Sequence, residues 1–138
     1  MKTHTLLLAI LFVTFASFAR CDEVIIVANL EAQEAPTEKW QIRDIFMGNS
    51  SDWDIEPVGL HPPNTARTIF NTKFIALTES RIQGYWAQMR FSGRKTPPKE
   101  FRSQEEALAY VLNNKNSMTY VLSNTEVPQG LVVLFKGQ

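Results

Sequence analysis

The chain has 138 residues, with 14 Lys and Arg balancing 14 Asp and Glu. That length suits one ordinary domain, and the balanced charge leaves no broad basic face for nucleic acid. Nine Phe, three Trp and three Tyr supply a hydrophobic interior and exclude a disordered chain, while a single cysteine excludes an internal disulfide or a thiolate metal cluster.

The N-terminus reads as a targeting segment. Met1 to Thr5 is polar with one Lys, and Leu6 to Phe18 is apolar apart from Thr14 and Ser17. Ser17 and Ala19 place small residues where cleavage after Ala19 needs them, so 1–19 is expected to be a secretory signal peptide and 20–138 one exported domain. The alternative is an uncleaved anchor, but the apolar run falls short of the roughly 20 residues a membrane span needs. No later segment approaches that length, so no span is expected after cleavage. Cys21 stands just past the cut, and Arg20 before it is a poor match to a lipid-attachment site.

Val24 to Asn29 is a β-branched apolar run, predicted as a buried strand of a parallel or mixed sheet. Leu30 to Pro36 is a loop. Thr37 can cap a helix over Glu38 to Met47, with Trp40, Ile42, Ile45 and Phe46 on its apolar face and Gly48 at its end. Ile55 to Leu60 is a short strand whose Pro57 implies an edge or a strand start. Asn64 is a good N-cap for a helix from Thr65 to about Leu77, burying Ile69, Phe70, Phe74 and the stem of Lys73. Thr78 or Ser80 restarts a helix over Arg81 to Arg90, in which Ile82, Tyr85, Trp86 and Met89 keep helical spacing. Phe91 to Phe101 is expected to be a loop. Ser103 with Glu106 forms a capping box for a helix to about Asn113. Two strands follow, "SMTYVL" and "GLVVLFKG". The order β-α-β-α-α-α-β-β argues for one α/β domain with helices packed on a sheet.

Several segments together resemble a known family. "TEKWQIRDIFMGNSSDW", "PVGLHPPNTARTIF", "YWAQMRFSGRKTPP" and "SMTYVL" are similar, in order and spacing, to segments of phosphate-type periplasmic substrate-binding proteins of ABC transporters, and to short single-lobed relatives of these. The resemblance runs from about Val24 to Val121. It implies an α/β fold like one lobe of a type 2 periplasmic binding protein, a mixed sheet with helices packed on it. In full-length members two lobes close on an oxyanion, and one lobe supplies a Ser-Gly-Thr turn at a helix entrance. That turn falls on Asn64, Thr65, Ala66 and Arg67, which the resemblance makes the ligand-binding residues. Only the arginine matches in register. The family's glycine before the tyrosine is Thr119 here.

The chemistry of such a turn is general. The first N–H groups of a helix lack intrahelical partners, the peptide dipoles add positive potential, and an arginine fork suits phosphate. Each residue also has a plainer reading: Asn64 as a cap, Arg67 as a solvated or surface-paired cation, His61 as an incidental loop residue. Tyr85 and Trp86 read as core, although an exposed patch at Trp53, Trp86 or Phe91 would mark a partner surface. Ser92, Gly93, Arg94 and Lys95 form either a second basic loop or a solvated turn. With two His, one of them His4, a His-based metal site is excluded, and no Gly-rich phosphate loop is present. The chain is therefore expected to be a non-catalytic binding protein without cofactor. Its partner is phosphate or another small oxyanion, or, if the ligand has been lost, an envelope protein.

Overall fold

The computed structural model describes residues 22–49 and 52–136, so the expected signal peptide and Cys21 lie outside the described residues. Among the described residues, five strands form one mixed sheet in the order β3-β2-β4-β1-β5. Strand β1 (Val24–Ala28) lies between β4 (Ser117–Leu122) and β5 (Val132–Leu134), antiparallel to both. Strand β2 (Glu56–Leu60) runs parallel to β4 on one side and to β3 (Lys99–Phe101) on the other. The first strand therefore sits in a mixed sheet, as its apolar run predicts. Pro57 marks a strand start and not an edge: it pairs with Met118 of β4, and pairing to β3 begins one residue later at Val58. Within the expected loop 91–101, Lys99–Phe101 completes the sheet through backbone bonding that its charged composition does not advertise.

Helix α1 (Lys39–Met47) starts at Glu38, not Thr37, because the Gln41 side chain accepts from both backbone N–H groups and fixes the entry there. Gly48 ends it in the left-handed conformation, at φ 70°. Ile42, Ile45 and Phe46 are buried as expected, whereas Trp40 lies outside and is 58% exposed. The helix predicted over 65–77 is divided: α2 (Thr65–Phe70) passes into a π-helical turn at Asn71–Ile75 and stops at left-handed Ala76. Thr78 caps α3 (Glu79–Phe91), and Ser103 caps α4 (Gln104–Asn113).

The two faces of the sheet are covered differently. On one, α1, α2 and α3 pack over Val24, Ile26, Leu60, Met118 and Tyr120. Phe46, Phe70 and Tyr120 form an aromatic cluster there, with Phe70 and Tyr120 stacked 4.0 Å apart in nearly parallel planes, at 10°, and Phe46 tilted against Phe70. Trp86 is buried in this cluster and Tyr85 is half-buried, its hydroxyl donating to Met47 O at 2.9 Å. On the other face a smaller group, Ile25, Val27 and Val121, packs against Leu108 of α4, with Val127 and Leu131 at its margin.

Candidate functional site

Leu60 ends β2, and Pro62 and Pro63, joined by a cis bond, turn the chain into α2. Asn64 is extended and caps the helix: its Oδ1 accepts from the Arg67 backbone N–H at 3.2 Å, and its carbonyl accepts from the N–H and hydroxyl of Thr68. The N–H groups of Thr65 and Ala66 precede the first intrahelical bond. Thr65 is exposed at the rim of an open concavity shared with Pro63, Asn64, Thr68 and Ile69, whereas Ala66 is buried. The exposed His61 turns its Nδ1 to Pro62 O at 2.8 Å.

The four residues of the expected ligand turn thus separate into two places. Asn64 and Thr65 stand at the helix entrance. The Arg67 side chain runs inward under α2 and is only 10% exposed. Its Nε and Nη2 donate to the two oxygens of Glu79, both at 2.8 Å. Its Nη1 donates to Leu60 O at 2.7 Å and to Glu100 Oε2 at 2.9 Å. A guanidinium has five N–H donors in a fixed fork, and these bonds occupy four of them. Two carboxylates face one cation, so the cluster presents no net positive charge to an anion.

The partners of Arg67 are themselves held. Glu79, first residue of α3, also accepts from Asn71 Nδ2 at 2.8 Å and Gln83 Nε2 at 2.7 Å. The π-helical turn begins at Asn71, so the irregularity that divides the predicted helix carries one of these donors. Tyr120 Oη accepts from Leu60 N–H at 3.0 Å, beside the carbonyl that Arg67 uses. Gly59 leaves room for this approach, since a Cβ there would crowd the hydroxyl at 3.2 Å.

The electrostatics follow the bonding. Burial works against the charge on Arg67, but the Glu79 bond and the fields of Tyr120, Glu100 and Glu79 outweigh it and raise its pKa. The Arg67 bond lowers the Glu79 pKa below its ordinary value, against a smaller desolvation effect. Burial pushes the Tyr120 hydroxyl up to about 12. A cavity of about 40 Å³ adjoins Arg67, Asn71, Gln83, Glu100 and Tyr120. That is room for a few waters and far below the ~300 Å³ at which ordinary ligand pockets begin.

The sequence reading reaches Asn64 and Thr65 at an exposed entrance. It misses Glu79, Glu100 and Tyr120 as partners of Arg67. Glu79 follows the Thr78 cap and looks like an ordinary first-turn acid, 12 residues from Arg67, while Glu100 is 33 away and falls in an expected loop. Thr119 lies on the far face and is fully buried, its hydroxyl without a partner among the described residues. Among the described residues no group of three or more His, Cys, Asp or Glu could hold a metal ion, and no helix is long and apolar enough to cross a membrane.

No family model and no curated protein matches the sequence. Among solved structures, the chain is similar to an ABC-type phosphate transport receptor from Vibrio cholerae, with a TM-score of 0.57 and 16% identity. The match covers 82% of this chain but 45% of the receptor, so the chain spans less than half the receptor's length. At that identity the likeness establishes architecture: the described sheet and helices have the α/β fold of one lobe of a periplasmic-binding-protein-like structure.

Proposed function

We propose that the protein is an exported, non-catalytic binding protein that takes phosphate or another small oxyanion at the entrance of α2. The observation that carries this reading is the capped, exposed turn Asn64-Thr65 on a fold shared with a phosphate transport receptor. The Thr65 hydroxyl and the N–H groups of Thr65 and Ala66 are the donors. Asn64 and Arg67 hold the turn from behind, one as the cap and the other through Leu60 O. Affinity is modest, because the concavity is open to water and the arginine charge is already matched by carboxylates. Titrating the chain with inorganic phosphate while following backbone amide shifts tests it. Saturable shifts centred on Thr65 and Ala66 support the reading, and unchanged amides at high phosphate reject it.

A second reading is favoured by one specific observation, the engagement of four of the five Arg67 N–H donors within the protein. The module then keeps the fold, has lost the ligand, and works by contact with an envelope protein. Under this reading phosphate moves no amide, and Arg67→Met affects stability but no anion response.

A further inference from the structure

A separate feature lies at the other end of the helical layer. Helix α3 ends at Phe91, and Gly93, at φ 67°, reverses the chain so that Arg94 N–H bonds back to Met89 O at 3.1 Å. The reversal leaves Phe91 projecting and 97% exposed, the most exposed large hydrophobic residue among the described residues. Arg90, Arg94 and Lys95 lie within four residues of it in the chain and, with Gly93 and Thr96, line an open bowl. No ion pair among the described residues engages these three cations. Lys95 makes one hydrogen bond, to the uncharged Asn49 Oδ1 at 2.7 Å.

We infer that the loop Arg90–Thr96 is a contact for the surface of an anionic phospholipid bilayer, independent of the α2 entrance. The charge is complementary: three cations within six residues face a bowl in which headgroup phosphates are the matching acceptors. The apolar element distinguishes a bilayer from a protein. Its exposed neighbours along the chain, Ala87, Gln88, Ser92 and Gly93, are small or polar, so no large apolar side chain extends the exposed surface of Phe91. A fluid bilayer needs no preformed pocket: one aromatic ring enters the headgroup boundary while Arg and Lys stems extend their charges to the phosphates. The contact is reversible and salt-sensitive, because one ring and three charges do not make a permanent anchor.

Cosedimentation of the full chain with phosphatidylcholine vesicles containing about one-third phosphatidylglycerol tests this, with pure phosphatidylcholine as the control. Every form carries the same N-terminal residues, so differences between variants isolate the loop. Phe91→Ala and the double variant Arg94→Ala/Lys95→Ala should each lower the anionic-vesicle partition coefficient about fivefold or more, with circular dichroism unchanged. About 0.5 M salt should remove the difference between wild type and the double variant. Inorganic phosphate at matched ionic strength should leave binding unaltered. Variants that bind as wild type does, an equal loss on neutral vesicles, or specific displacement by inorganic phosphate would each overturn the assignment.

Discussion

The two faces of the sheet solve the same burial problem in different ways. On the α1–α3 face an aromatic stack surrounds a polar cluster in which Arg67, Glu79, Asn71 and the Tyr120 hydroxyl all have named partners. On the α4 face, beside a smaller apolar group, the buried Thr119 hydroxyl has none among the described residues. Buried polar groups stabilise only when their bonds are complete. The first face can therefore depend on its polar residues, and the second should improve when its polar residue is removed.

The largest break in that contrast is Arg67→Ala. It strands Leu60 O and leaves two carboxylates facing each other, and should cost about 2–4 kcal/mol in urea unfolding, below the fully buried limit because Glu79 stays partly open to water. Alkaline titration comes next. The folded Tyr120 pKa is raised from 10.0 to about 12, so its contribution is complete below pH 10 and is lost as pH climbs towards 12. That window should remove roughly 2–3 kcal/mol, and Tyr120→Phe should abolish this part of the alkaline loss. At neutral pH Tyr120→Phe takes the acceptor from Leu60 N–H and should cost about 1–2 kcal/mol.

The opposite sign is expected across the sheet. Thr119→Val keeps the shape, removes the orphan hydroxyl, and should raise stability by about 1 kcal/mol. An unchanged or lowered midpoint would mean that the far face meets this hydroxyl's needs in another way. The smallest effect is acidic. Glu79 has a folded pKa below its ordinary 4.5, so its contribution is present above that value and declines as pH falls beneath it. Partial exposure keeps this slope shallow, and Glu79→Gln should flatten it.

Much of the architecture was legible because its signals are local. The caps at Asn64, Thr78 and Ser103 each sit beside the N–H they satisfy, and the β-branched run 24–28 carries its burial in its composition. Strand β3 was not legible, because Lys99 and Glu100 become strand only by pairing with β2, more than 40 positions earlier. The π-helical turn at Asn71 was hidden for a similar reason: its use is a bond to Glu79. For Arg67 the sequence shows a cation on the first turn of a capped helix, which fits an anion site as well as an ion pair. The deciding groups, Glu79 and Glu100, are brought in by α3 and β3, and helical spacing around Arg67 contains neither.

The central claim is that the Arg67 guanidinium is committed to the protein's own acceptors. A double-mutant cycle with Arg67→Met and Glu79→Gln, read by urea unfolding, tests it most directly. The account predicts a favourable coupling of about 1–2 kcal/mol between the two positions. Single-mutant effects that add to within about 0.5 kcal/mol would contradict it and return the arginine to the anion.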